Sequence, residues 1–368
     1  MKLLFASLLL LLSTPIFSQE TKDEIPHQFE ITKKVEASSV KSQGRSSTCW
    51  AFATTSFIEA ELIRLGKGEL DISEMYFIRK DYPIKAQKYV RYHGLSNFGP
   101  GGLGHDALNT ITKYGMLPES QYGGKLVDST KYDHSEMHGI LESMLKSIVD
   151  QKKISTLWKP AFNSVLDVYL GELPTKFAFN GAEYTSKSFA EFLEFNPDDY
   201  IEFTSYSHIP LNEKSNLEIP DNWSNAKYYN IPIEELIGLM DNSIELGYSL
   251  LWDGDAGKDF FHRSGYAVIP TDDWEENGDP ETEKEITQDM RQNSFDSFVT
   301  TDDHLMHITG LAKNQNGTNF YYTKNSWGDK KGFDGYWYMS ESYVRLMTIS
   351  ITVHKNVIPE ELKKRLNI

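Results

Sequence analysis

Apolar positions recur at helical spacing in three stretches of the front half of the chain. Phe52, Phe57, Ile58, Leu62 and Leu65 predict a helix over 47–65, with Ser47 or Thr48 to cap it and Gly66 to end it. A second helix is predicted over 106–114, closed by Gly115. Met137, Ile140, Leu141, Met144, Leu145 and Ile148 predict a third over 135–150. Later the period shortens. Residues 198–206 alternate as a strand does, and further strands are predicted at 305–312, 320–324, 336–339 and 348–353. Asn316-Gly317 and Asp334-Gly335 supply turns between them, and a short helix is predicted over 359–366. Residues 271–285 are acidic and rich in turn formers, and read as a solvated loop. Helices first and strands later, with no internal repeat, point to an α+β protein of two packed lobes.

Composition narrows the partners. The 368 residues are 39% hydrophobic, enough for a sizeable core, and the net charge is -16. An acidic surface repels phosphate backbones and anionic lipid, so neither nucleic acid nor a membrane is expected as a partner. At the N-terminus, Lys2 precedes the apolar run Leu3 to Leu12, which is too short to span a bilayer comfortably. Pro15 and Ser18 follow, so residues 1–18 read as a signal peptide. An exported protein, periplasmic or extracellular, is the expectation. Residues 19–36 read as a polar, extended N-terminal segment, too short for a substantial inhibitory pro-segment.

The chain has one cysteine, Cys49. A lone thiol cannot form an internal disulfide, and by itself it would read as an inert buried side chain. Its setting suggests more. It lies in Gln43-Gly-Arg-Ser-Ser-Thr-Cys49-Trp-Ala-Phe52, at the start of the first predicted helix. Unsatisfied N–H groups and the helix dipole favour a thiolate there and can hold an oxyanion. Gln43, on the loop entering the helix, either offers a second oxyanion donor or is an ordinary surface glutamine. A thiolate nucleophile needs an acid–base partner, usually a histidine held by a third polar group. Asp302-Asp303-His304-Leu-Met-His307 opens the strand-rich part, and Asn325-Ser-Trp-Gly328 closes the next strand. His304 and His307 are three apart, so on a strand they face opposite ways and only one can reach Cys49. The same divergence makes them poor joint metal ligands. Phe98-Gly-Pro-Gly101-Gly102-Leu-Gly104 lacks the Lys-Ser/Thr of a phosphate loop. No metal or cofactor is expected. Gly101 and Gly102 instead suit a cleft wall that an extended peptide can approach closely.

These segments together resemble the active-site stretches of the papain superfamily of cysteine peptidases. Ser46-Ser47 without a second cysteine resembles its bleomycin hydrolase and aminopeptidase C branch. So do the run from Gly101-Gly102 to Gly115 and the segments 169–174, 220–225 and 252–257. The resemblance implies a papain-like fold in a peptidase domain over 37–368. A helical lobe would cover about 37–125, a helical insertion about 126–295 and an antiparallel β-barrel lobe about 296–368. It implies Cys49 as nucleophile, Gln43 as oxyanion donor, Asn325 as the residue that orients the base, and Gly101 and Gly102 as substrate-binding. In the family an Asp or Thr often precedes the catalytic His and a Gly often stands six residues after it, which favours His304, with His307 as the alternative base. Leu103 and Met306 would line a neighbouring subsite. Peptides are the implied partners. In this branch a C-terminal arm meets the substrate amine in the cleft, whereas here the chain ends at Ile368, apparently before such an arm. Aminopeptidase and endopeptidase action both stay open. An inactive peptide-binding scaffold would have no need of Gln43, Cys49, His304 and Asn325 together. A Cys-His-Asp acyl transferase would want an aspartate where Asn325 stands.

Overall fold

The structure is a computed structural model describing residues 27–124, 131–257, 260–271 and 283–368. The expected signal peptide, the front of the N-terminal segment and most of the acidic loop lie outside the described residues.

The front lobe begins with strand β1 (Phe29–Lys34) and then helices α1 (Cys49–Arg64), α2 (Glu74–Arg91) and α3 (Gly104–Tyr114). Next come α4 (Ser135–Val149), α5 (Trp158–Leu170), the hairpin β2 (Phe177–Phe179) and β3 (Ala182–Tyr184), and α6 (Ser186–Leu193). The second half holds β4 (Tyr200–Thr204), β5 (Glu213–Asn216), β6 (Lys227–Asn230), α7 (Ile233–Glu245), β7 (Leu250–Gly254), β8 (Phe261–His262), β9 (Tyr266–Ala267) and α8 (Gln288–Asp296). The chain ends with β10 (His304–Asn314), β11 (Asn319–Lys324), β12 (Tyr336–Ser340), α9 (Glu341–Met347), β13 (Thr348–His354) and α10 (Glu360–Leu366).

Helix α1 is buried on nearly every side, from Trp50 to Leu62. Its low amphipathicity in sequence follows from that position, because it lies between the two lobes. The helical lobe packs on one face, with Phe57, Leu62, Met75, Phe77, Leu145 and Phe162 in one apolar core. Leu305 and Leu251 of the sheet join that core from the other side. A second core, with Trp252, Met306, Ile308, Trp337 and Tyr343, lies between the sheet and helices α7, α9 and α10. The stripe on α4 is narrower than its apolar spacing suggested. Met137, Leu141 and Leu145 are buried, while Ile140 is exposed. Each fully buried side chain of this size contributes about 1.5–3 kcal/mol.

The α+β class is as expected, but the strands do not form a closed barrel. They make one 11-stranded sheet in the order β5-β6-β4-β13-β7-β10-β11-β12-β9-β8, with β1 beside the far half of β10. The segment expected as a helical insertion supplies helices and also strands β4 to β9, all of them in this sheet. Its strands are short, and β4–β6 and β9–β12 pair in parallel, which no local turn signal announces.

Candidate active site

Cys49 is the first residue of α1. Thr48 stands at the N-cap position but makes no side-chain cap; its hydroxyl pairs with Ser46 Oγ at 2.6 Å. The first-turn N–H groups beside Cys49 thus keep no side-chain partner, the arrangement that suits an anion. The entering loop is held from two sides. On one, Gln43 N donates to Ser326 O at 2.8 Å, and Ser326 Oγ donates to Gln43 Oε1 at 2.6 Å. On the other, Arg45 N donates to Tyr132 O at 2.8 Å, while Gly44 turns with φ +57°. A Cβ at Gly44 would lie 2.5 Å from that carbonyl oxygen, so the turn needs glycine. Because Gln43 Oε1 accepts from Ser326, its Nε2 is the end left to donate elsewhere.

His304 opens β10 and Asn325 follows β11. His304 Nε2 lies 2.8 Å from Asn325 Oδ1, which also accepts from Ser326 N at 2.7 Å. A backbone N–H can only donate, so Oδ1 is identified as the acceptor and His304 Nε2 carries the proton. Neutral His304 therefore keeps its lone pair on Nδ1. The half-buried Trp327 ring lies 5.0 Å from the His304 ring and tilts 35° to it. The loop before His304 is pinned by Asp255, whose Oδ2 accepts from Thr301 N at 2.9 Å and Thr301 Oγ1 at 2.7 Å. His307 turns the other way. Its Nδ1 meets Ser56 Oγ at 2.8 Å, beneath α1, and Lys324 Nζ donates to the same hydroxyl at 2.8 Å. The structure thus brings His304, not His307, to Asn325.

The backbone of Leu305, the residue after His304, acts on the Cys49 thiol and lowers its pKa, so the helix start lies near the β10 start. Electrostatics oppose a resting thiolate. Burial pushes the thiol up to about 12, with Asp221, Asp302 and Asp253 adding to the rise. Burial also lowers His304, against a smaller raising effect of Asn325 and Asp303. Both directions favour a neutral thiol and a neutral imidazole, against the helix dipole, worth at most about 2 kcal/mol.

Two candidates for subsite lining change. Leu103 and Met306 are 1% and 0% exposed, in the two apolar cores, so neither lines an open cleft. Gly102 is buried against Trp50 and Asp106, where an added Cβ would sit 3.0 Å from each. Gly101 is half-buried, and an added Cβ would lie 1.8 Å from Asp221 Oδ2. Residues near the thiol that local spacing does not reveal are thus Leu305, Asp221, Asp253 and Asp302. The acids come from three segments, each marked in sequence by its own run, Pro-Asp-Asn-Trp, Trp-Asp-Gly and Asp-Asp-His, but no spacing relates one segment to another.

Comparison with known proteins agrees with this architecture. The crystal structure of PepW from Lactobacillus rhamnosis HN001 superposes with a TM-score of 0.75 at 20% identity, covering 92% of this chain and 84% of that one. Aminopeptidase C of Listeria monocytogenes is 23% identical over all of this chain and 91% of its own length. Aminopeptidase C of Streptococcus thermophilus is 23% identical over 96% of this chain and 87% of its own. Fold and relatives define a papain-superfamily cysteine peptidase of the aminopeptidase C branch. The chain belongs to the Peptidase C1-like family, which matches residues 87–368.

Proposed function

We propose that this peptidase removes residues from the amino end of peptides, with Cys49 as nucleophile, His304 as base and acid, Asn325 as its orienter and Gln43 as an oxyanion donor. The observation that carries the reading is the His304–Asn325 bond beside Trp327, which leaves Nδ1 as the proton acceptor. Nδ1 takes the thiol proton as sulfur attacks the scissile carbonyl carbon. The resulting oxyanion is held by first-turn N–H groups of α1 and by Gln43 Nε2. Collapse breaks the C–N bond, and His304 returns its proton to the leaving amine. Water, deprotonated by His304, then releases the acyl group and restores the thiol. In this reading the half-buried Gly101 and the buried Gly102 form the wall that the peptide backbone approaches. Export through the N-terminal apolar segment belongs to the same reading, supported by the Lys2 to Ser18 pattern.

Aminopeptidase action is favoured over endopeptidase action by relatives named aminopeptidase C, aligned along most of both chains. It is tested with one peptide in free-amine and N-acetylated forms. The free form is expected to be cleaved at least about 100-fold faster by kcat/KM, a preference of the size one charge-assisted contact supplies. Equal rates would replace this reading with an endopeptidase of the same mechanism. Gln43→Ala is expected to lower kcat about 100-fold with little change in KM, because an oxyanion donor acts on the transition state. A loss in KM alone would remove Gln43 from that role.

A further inference from the structure

We infer that Lys324 is a positioning residue, whose buried ammonium holds the segments carrying Cys49, Gln43 and Asn325 at the spacing the reaction needs. This rests on the catalytic set proposed above and adds a residue that acts only through it. Lys324 is the last residue of β11 and the immediate neighbour of Asn325. Its backbone stands between two partners, His307 of β10 and Tyr336 of β12. Just beyond, Asn325 N donates to Gly335 O at 3.0 Å. The point from which Asn325 leaves the sheet is therefore fixed at Lys324.

The side chain reaches from there to two other segments. Nζ donates to Ser56 Oγ at 2.8 Å, to Ser38 O at 2.8 Å and to Ser38 Oγ at 3.1 Å. An ammonium has three N–H donors, so all of them are used. Ser56 follows Cys49 by two turns of α1, on the same face and about 10 Å along the axis. Ser38 opens the stretch that leads through Lys41 to Gln43, and its hydroxyl donates onward to Glu59 Oε2 in α1. Because Lys324 can only donate to Ser56, the Ser56 hydroxyl donates in turn to His307 Nδ1. Truncating His307 would leave all three lysine bonds in place, whereas truncating Lys324 would remove them together.

Packing alone does not account for a lysine at this place. Lys324 is 4% exposed, and its bonds go to two hydroxyls and a carbonyl rather than to a carboxylate. Burial pulls the ammonium down to about 8, Lys41 adds to the fall, and Glu59, Glu74 and Glu69 oppose it. A charge kept out of water in this way is a weak source of stability. What it supplies is three directed bonds from one atom. The space beside it is a cavity of about 10 Å³ lined by Ser56, Lys324, Asn325 and Ser326, room for one water at most, so no neighbouring side chain can move in to replace those bonds. The chemistry above is sensitive to such spacing. Sulfur, imidazole and oxyanion donors must meet at one carbonyl, and a misplacement of about 1 Å can cost about 100-fold in rate.

The test uses the full protein with Lys324→Met, which keeps the length of the side chain and removes its three donors. kcat and KM are measured on a free-amine peptide, and urea unfolding establishes the folded fraction under assay conditions. The variant is expected to lower kcat of the folded enzyme about 10- to 100-fold with KM changed by less than about twofold. A role confined to stability would leave kcat of the folded fraction intact. Ser56→Ala removes the bond to α1 with little change in volume, and should lower kcat about 3- to 10-fold; combined with Lys324→Met it should add nothing further, since both act through one contact. Wild-type kcat in folded Lys324→Met, or in Ser56→Ala should the lysine variant not fold, would overturn the inference. His304→Ala separates the two readings. If it abolishes activity while these variants do not, the catalytic set stands without Lys324; if it leaves kcat unchanged, both fall.

Discussion

Substituting His304 by alanine is expected to lower kcat/KM on peptides by about four orders of magnitude, comparable to losing the base of a catalytic triad. The local electrostatics make the expectation specific. Burial and neighbouring acids raise the thiol, so little of it is ionised at neutral pH. Attack through a pre-formed thiolate would be disfavoured to that extent. A base that accepts the proton during attack avoids the penalty, and Nδ1 of His304 is arranged for this by the proton on Nε2. Steady-state kinetics on a free-amine peptide, with labelling of Cys49 by a free-amine aminoacyl chloromethyl ketone, measures the effect. A loss below tenfold, or labelling indifferent to the substitution, would exclude His304 as the base. His307→Ala is the comparator. It removes a side chain bonded to Ser56 beneath α1, so its effect should fall on thermal stability rather than on kcat. The reverse pattern would exchange the two histidines.

Lys41→Met is expected to destabilise the fold by about 3 kcal/mol at pH 7, the lower end for breaking a buried pair because Lys41 is about a quarter exposed. Lys41 Nζ binds Glu59 Oε1 at 2.9 Å, Glu74 Oε1 at 2.7 Å and Asp71 Oδ1 at 2.5 Å. Glu59 and Glu74 are almost wholly buried in α1 and α2. Glu59 keeps bonds from Ser38 Oγ and Ile72 N, and Lys324 still acts on both acids, but the substitution leaves two adjacent carboxylates without their direct ion-pair partner. Lys41 also leads into the loop carrying Gln43, so activity should fall with stability. The pH dependence has a definite sign. Burial and Glu74 hold Glu59 above its ordinary value, and Lys41 opposes them. Without Lys41 the rise grows, so the folded variant binds more protons than the unfolded chain. Its stability then increases as pH falls from about 7 towards the ordinary glutamate value near 4.3, where the unfolded chain also becomes protonated. Urea unfolding at pH 7 and pH 5 should therefore show a smaller deficit at pH 5. A deficit that is constant or grows on acidification would mean that the network does not act through Glu59.

Much of the fold was legible because many elements carry local marks. Helix α1 begins at Cys49 and ends before Gly66, whose φ of +75° explains its presence. Helix α3 ends at Gly115, with φ +83°, and the Asp334-Gly335 turn has both residues at positive φ before β12. Helix α2 carried no such clear mark. Pro83 stands inside it, and a proline within an apolar pattern ordinarily reads as a break. Burial of Tyr76, Phe77, Ile78, Tyr82 and Ala86 against the helical lobe outweighs the hydrogen bond that Pro83 cannot donate. Strands β5, β6, β8 and β9 are two to four residues long, so alternation had little length in which to appear, and only β6 and β9 join the larger sheet, through β4 and β12.

Cys49 and its candidate partners could be read from the sequence alone, because each sits in a short run whose residue types are tied to a local backbone form. A helix start, a strand start and a strand end each leave such a run. The sequence also pointed to His304 over His307, and in the folded chain it is His304 that meets Asn325. Only the tertiary structure decided what surrounds the thiol. Asp221, Asp253 and Asp302 belong to a turn, a central strand and a loop, and no spacing relates them. Folding gathers them because the Trp223 turn docks on α3 and because Asp253 in β7 lies opposite Leu305 in β10. The physical reason is the range of the interactions. Backbone geometry at an element's end is set within a few residues, whereas the field at a buried sulfur is summed over every charge that packing brings near it.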